Sequence, residues 1–392
     1  MKIKVKTDDF KVSEVLDLDV VHGAGKYSIY KIEKWGTNTL DVINDIAKRL
    51  RIPRHKIGYG GLKDRYAYAI QYISIPDGGL WRIKANNYIM EFIGRSDKPV
   101  SKSVLCGNDF SVVVRDINPN IVETVNERLK IISQQGFVNY FDEQRFSSAR
   151  HGKGFVAHKV ILGDYAGALK LLFMASAHDN SRERKFKRCV QKNWGDWEKC
   201  IDMAPSEWQK RVLSHMAKHK RGYKKALELV DKEFLFLLGT AFQAFVWNRV
   251  AKEYINSHIP KDYIITAGFK LGETLYYIKS LPKELIDKIH AVIIPLPSPK
   301  LKLEGELEHI YSRVLSEMGI HDISNFRSKV TGLFFRTSGR KLIVIPENLS
   351  WGWSEDEMYQ GRKKLVINTF LPKGSYITML IKQAFLIGKR GK

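Results

Sequence analysis

Residues 58–75 read GYGGLKDRYAYAIQYISI, and in them one carboxylate, Asp64, stands between two cations, Lys63 and Arg65. Opposite charges close to an acid favour its ionised form. An ionised carboxylate in a pocket walled by Gly58, Gly60 and Gly61 is suited to act as a nucleophile or a general base. The same residues would also make a plain turn, with the aspartate bonded to its neighbours. The residue types alone leave both readings open.

Other stretches offer chemistry of different kinds. NYFDEQRF (139–146) sets Tyr140 and Phe141 beside Asn139, Gln144 and Arg145. Such a group could stack on a nucleobase and read its edge, or it could be core aromatics with an Arg–Asp pair. GAGKYS (23–28) is not a phosphate loop, because Tyr27 stands where Ser or Thr must follow the lysine. HMAKH (215–219) spaces two histidines by one helical turn but lacks the glutamate of a zinc protease. The three cysteines, Cys106, Cys189 and Cys200, contain no CxxC pair, so neither a disulfide framework nor a structural metal is expected.

Charge narrows the partners. Lys and Arg number 65 against 42 Asp and Glu, a net +23 over 392 residues. That excess suits a polyanion, nucleic acid first and an anionic membrane surface second. RERKFKR (182–188) and KHKRGYKK (218–225) concentrate it. Each is either a backbone-contacting patch for RNA or a solvated helix face. No uncharged apolar run reaches 18 residues, so no membrane span is expected. MKIKVKTDDF lacks the apolar core of a signal peptide, and a cytoplasmic location is the default expectation.

The elements that must position these residues follow from periodicity. KIKVK (2–6), FKVSEV (10–15), YSIYKIE (27–33), 86–94 and 109–115 alternate as strands do. So does YAYAIQYISI, which puts Asp64 in the turn just before a strand. TNTLDVINDIAKRL reads as a helix with Leu40, Ile43, Ala47 and Leu50 on one face, Asn38 or Thr39 as cap and Pro53 beyond its end. A second helix runs through IVETVNERLKIISQQ, with Ile121, Val125 and Leu129 inward and Gly136 at its end. The lack of βαβ regularity predicts a largely antiparallel α+β domain. Helical patterns dominate after about residue 160. Strand character returns at 341–346 and 363–372, before a last helix with Ile377, Leu380, Ile381 and Ala384 inward. A chain of this length suits two domains. The order suggests one domain from 1–160 and 336–392, with a largely helical α/β insertion over 161–335.

Six stretches together resemble one family. GGLKDRYAYAIQ is similar to the motif of the TruD family of tRNA pseudouridine synthases, a Gly-x-Lys-Asp-Arg/Lys turn with a Gln seven residues after the Asp. DFKVSE (9–14), TNTL (37–40), NYFDEQRF, AFQAFVWN (241–248) and LPKGSYITMLIKQ (371–383) resemble the family's other signatures, in order. Asp142 and Ser147 stand where the family has glycines, Lys26 and Tyr27 where Glu and His are frequent, and Ala244 where Ser is frequent. The resemblance implies a pseudouridine-synthase-like core, a mixed and mainly antiparallel sheet with flanking helices. It implies isomerisation of uridine in tRNA, at position 13 of the D arm, with no cofactor, metal or obligate protein partner. Asp64 would be the catalytic carboxylate and Lys4 its basic partner. Lys63, Arg65 and Gln71 would shape the substrate turn. Phe141 would stack on the flipped uracil, and Asn139 would hold the loop or the base. A protein that keeps this fold and binds RNA without catalysis is the rival reading, and the intact Lys63-Asp64-Arg65 argues against it. A carboxylate-based hydrolase would want a second acid near the motif.

Overall fold

Strict alternation in YAIQYISIP turns Ala69, Gln71 and Ile73 to the buried side of their strand and Tyr68, Ile70 and Tyr72 to the other. This strand sits near the middle of a ten-stranded sheet. In the computed structural model, which describes residues 1–149, 152–177, 179–269 and 271–386, that sheet is the frame of the first of two compact units. Among the described residues, the first unit is Met1–Phe137 together with Val344–Leu386, and the second is Val138–Ile343.

In chain order the first unit contains β1 (Lys2–Ile3), β2 (Phe10–Leu16), β3 (Tyr27–Lys34), α1 (Thr39–Leu50), β4 (Gly58–Tyr59), β5 (Tyr68–Pro76), β6 (Arg82–Lys84), β7 (Tyr88–Ser96), β8 (Leu105–Ile117) and α2 (Val122–Gln135). After the second unit come β9 (Glu347–Glu355), β10 (Lys363–Pro372) and α3 (Ile377–Ala384). The strand order is β9-β10-β8-β2-β5-β3-β7-β6, with β1 on β8 and β4 on β5. Only β2 and β5 run parallel; the remaining pairs of this sheet are antiparallel. The α+β class with a mixed, mainly antiparallel sheet is therefore the observed one.

Burial explains where the helices lie. Val42, Ile43, Ile46 and Ala47 of α1 pack on Tyr30, Ile32, Ile73 and Met90. The inward stripe is thus rotated from the expected one, and Leu40 and Leu50 sit at its margins. Asn38 occupies the N-cap position, but its amide donates to Asp41 and caps nothing. In α2, Val125, Leu129 and Ile132 are buried. Asn126 on the same helix accepts from both indole N–H groups of β9, Trp351 at 3.0 Å and Trp353 at 2.8 Å. The four inward residues expected of α3 are all buried. Arg115 of β8, itself buried, donates to both oxygens of Asp9 and to Asp356, and also pairs with Glu357. The first residues of the unit are thereby tied to the last strands. The strand expected over 2–6 is only two residues long, because Lys4 turns the chain with a left-handed φ of 60°.

The second unit is built on one helix, Lys232–His258, with Leu238, Phe242, Trp247 and Val250 among its many buried residues. Its most apolar 18-residue window has a mean hydropathy of 1.3, enough by length and composition to cross a bilayer. Two-thirds of that window is buried in the protein, as in the core helix of a globular unit. Phe155 and Phe326 pack against Phe242 of this helix. Helices Tyr165–Leu172, Glu207–Lys218 and Gly305–Ser316 surround it, with a hairpin of Ile264–Phe269 and Gly272–Tyr277.

Its limits differ from 161–335 for identifiable reasons. Residues after Val138 already belong to this core: Asn248 bonds the backbone of Phe141, and Phe146 meets Phe245 edge-on. At the far end the run 341–346 is not one strand. Gly339–Lys341 pairs with Ile293–Pro295, which keeps it in the second unit. A second correction concerns sulfur. Cys189 and Cys200 form a disulfide, joining helix Ser181–Lys192 to the short turn Trp197–Cys200. An odd cysteine count hides one pair as easily as it excludes a framework. Cys106 is exposed and free.

Candidate active site

The turn before β5 is held from three consecutive residues. The Lys63 N–H donates to Thr39 Oγ1 at 2.9 Å. The Asp64 carbonyl accepts from Lys34 Nζ at 2.8 Å. Arg65 Nε donates to the Gly36 carbonyl at 3.1 Å. All three partners come from the short stretch that joins the end of β3 to the start of α1. Thr39 Oγ1 in turn donates to Gln71 Oε1 at 2.9 Å, so the turn, the helix start and the following strand share one network.

Within this frame the Asp64 side chain remains about a quarter exposed, at 26%. Its Oδ2 is bound by Lys4 Nζ, and its Oδ1 accepts the Tyr66 N–H at 3.1 Å. The Lys4 ammonium also lies over the Phe10 ring, 4.5 Å from its centroid. The side chain is thus oriented by a cation and by backbone while part of it stays exposed. Lys63 is not a second ligand of Asp64. Its Nζ reaches Glu14 Oε1 at 2.7 Å, with both side chains buried, and Glu14 Oε2 accepts the Tyr72 N–H. Buried charges need such pairing. Arg65 is exposed. Gln71 is only 1% exposed and lies on the inner face of β5; its Nε2 has no hydrogen-bond partner among the described residues.

Three residues outside the sequence-predicted site carry this geometry. Glu14 and Lys34 both fall on the inward side of their strands, in register with Val12 and Ile32. A charged residue at an inward position is a signal, since burial without a partner is costly. Lys34 is fully buried, and its ammonium also donates to the Thr37 carbonyl at 2.9 Å. Burial pushes its pKa down to about 8, against the opposing pull of Asp64. Thr39, which the sequence suggests as a helix cap, instead organises the turn.

Asn139 and Phe141 belong to the second unit, where a different arrangement holds them. Arg340 donates from Nε to the Asn139 carbonyl at 2.8 Å and from a terminal nitrogen to Asn139 Oδ1 at 2.6 Å. The guanidinium lies 4.0 Å from the centroid of the Phe141 ring, a cation–π contact. Trp247 meets the same ring edge-on at 5.6 Å. Asn248 clamps the Phe141 backbone, accepting its N–H at 2.8 Å and donating to its carbonyl at 2.9 Å. Asn139 is buried and Phe141 is 9% exposed.

The basic clusters divide by use. In helix Ser181–Lys192, Phe186 is core, Arg184 donates to the carbonyls of Ala177 and Asp179, and Lys187 pairs with Asp179 and Glu183. Arg182, Lys185 and Arg188 are exposed. Lys218, Lys220, Arg221 and Lys224 are exposed at the turn between Glu207–Lys218 and Tyr223–Glu228.

A mixed, mainly antiparallel sheet thus carries a lysine-bound carboxylate in the turn leading into a central strand. A Methanosarcina mazei crystal structure, described as that of the "Putative tRNA pseudouridine synthase D (TruD)", superposes with a TM-score of 0.71 at 22% identity, covering 99% of this chain and 94% of that one, so the fold is shared. The family model for tRNA pseudouridine synthase D (TruD) matches residues 1–384, and the chain belongs to that family. Relatives include the Methanocaldococcus jannaschii protein named "Probable tRNA pseudouridine synthase D 2", 34% identical over 98% of this chain and 92% of its own. The "tRNA pseudouridine synthase D" of Leptospira interrogans is 29% identical over 98% and 96%.

Proposed function

We propose that this enzyme converts uridine 13 in the D arm of tRNA to pseudouridine, with Asp64 as the carboxylate that acts at the sugar. The N1–C1′ bond opens, the base turns, and C5 bonds to C1′. The proton lost from C5 is balanced by the one gained at N1, so the reaction is an isomerisation without an oxidant. The observation that carries this reading is the Asp64 carboxylate, fixed by Lys4 and by its own turn yet partly exposed. The uridine reaches it by base flipping, because the sugar is shielded within stacked RNA. Lys63 and Gln71 act from within the fold, through Glu14 and Thr39. Arg65, exposed beside the carboxylate, meets the RNA backbone. Phe141 stacks on the flipped uracil, with Arg340 setting the orientation of its ring and Asn139 holding the loop. Position 13 rests on the likeness to the family. The net charge of +23 supports tRNA as the partner, and the cytoplasm as the place of action follows from that substrate.

Asp64→Asn removes the charge and keeps the volume. Incubated with unmodified tRNA, the wild type is expected to place pseudouridine at position 13, read by primer extension after chemical marking. The variant is expected to give none above background while binding tRNA within a few-fold. Robust turnover by the Asn variant would remove Asp64 from the chemistry. Product at another position would correct the substrate and leave the mechanism standing.

A further inference from the structure

We propose that Lys34 is a positioning residue of this reaction: its buried ammonium locks the backbone of Asp64 to the start of α1 and sets a positive charge beside the carboxylate. The inference rests on the reading of Asp64 given above.

The geometry is that of a bridge. Lys34 ends β3 on the inward face, and its Nζ donates at once to Thr37 and to Asp64, both main-chain carbonyls. Neither is a carboxylate, so the charge is not neutralised at contact. Retaining a buried cation with only carbonyl partners is costly, whereas a neutral side chain would fill the same space without that cost. The charged groups around it are few. The turn brings Asp64, held by Lys4, and Lys63, held by Glu14 of β2. On β3 itself Glu33 is engaged by Lys31 and Tyr68 on the outer side of the strand. On α1, Asp41 takes a hydrogen bond from Asn38 at the surface. The charge of Asp64 favours protonation of Lys34, while burial and the charge of Lys63 oppose it.

A bridge of this kind acts on the rate through placement. Displacing a reacting group by about 1 Å can cost on the order of a hundredfold. The ammonium differs from a purely mechanical tether because it can discharge. A neutral amine still donates to two carbonyls, so the hydrogen bonds survive while the charge does not.

The test uses the full chain, unmodified tRNA under single-turnover conditions, and the pH range 6.5–9.5. Wild type and Asp64→Asn run alongside, so absence of wild-type product sinks the functional reading itself and is recognised as such. Lys34→Met is expected to lower the single-turnover rate about a hundredfold with tRNA affinity changed no more than about twofold. Lys34→Arg, which keeps a charge that does not titrate in this range, is expected to recover at least a tenth of the wild-type rate. The wild-type rate should fall above a pH near 8, where Lys34 loses its proton, and the Arg variant should lack that fall. A Met variant with the wild-type rate, or an alkaline limb identical in wild type and Arg variant, overturns the proposal. Thermal melting of each variant guards the conclusion: if both unfold, the role of Lys34 is in folding and the proposal fails.

Discussion

The turn of the first unit and the aromatic loop of the second solve the same problem in opposite ways. Around Asp64 the supports are buried and the reactive group is open: Lys34, Glu14, Thr39 and Gln71 lie inside, and the carboxylate keeps a quarter of its surface. Around Phe141 the candidate group is itself nearly buried, ringed by Trp247 and Arg340 and clamped through its backbone by Asn248. Burying a charge is costly unless it is fully paired, and here the scaffold takes the burial instead. A ring carries no such penalty, and the same atoms can serve packing and recognition. Stability and activity should therefore separate at the turn and coincide at the loop.

Phe141→Ala offers the largest effect with which to break that contrast. Removing a ring packed in this way should cost about 3–5 kcal/mol of stability and lower turnover with it. Phe141→Tyr, which keeps the ring face, should retain much of both. Melting and turnover measured on the same preparations decide the matter. A stable, tRNA-binding Ala variant that turns over poorly would make the ring a free stacking platform and erase the contrast.

Thr39→Ala probes the scaffold side with a smaller change. It strands the Lys63 N–H and Gln71 Oε1, at a cost of about 1–3 kcal/mol. Activity should drop further than stability alone would explain, because Asp64 is the next residue along. Chemical denaturation beside a rate measurement checks this, and a loss confined to stability would show that the turn does not need Thr39 for its function.

The smallest effect on folding is expected from Arg182, Lys185 and Arg188 replaced together by Ala. Melting should not move. The salt dependence of tRNA affinity should flatten, by up to about 2 in log–log slope if all three meet phosphates. Turnover at saturating RNA should stay as it was. An unchanged slope would assign the three to ordinary solvated surface. Arg184 is left out because it holds two carbonyls within its own unit.

Much of the first unit was legible from alternation and turn chemistry. The strands around Val12, Ile29, Ile73 and Val112, and the helix carrying Leu380 and Ile381, lie where periodicity puts them. The place of Asp64, in the turn just before β5, was legible too, because strand alternation begins directly after it. Its supports were less so. Lys34 and Glu14 are charged residues at inward strand positions, and their partners are remote in sequence. Register can flag such residues but cannot pair them. Arg340 was invisible for the same reason: it is some two hundred residues from Asn139, with which it forms a hydrogen bond. The division between units was misplaced because an aromatic stretch after residue 138 looks alike whether it ends one core or begins another.

Arg115 has a consequence for how the chain comes into being. Its acidic partners lie at both ends of the first unit, Asp9 before β2 and Asp356 after β9. The outer edge of β8 is likewise completed by β10, which begins only at Lys363. On the ribosome, β8 emerges long before that partner exists. At about 5–20 residues per second, the delay is on the order of ten seconds or more. Through that interval the nascent sheet presents an unpaired edge and a guanidinium lacking two of its three acids, while the inserted unit is being made. The last strands to leave the tunnel are the ones that close the sheet, so the chain can be folded in its second unit before its first is finished.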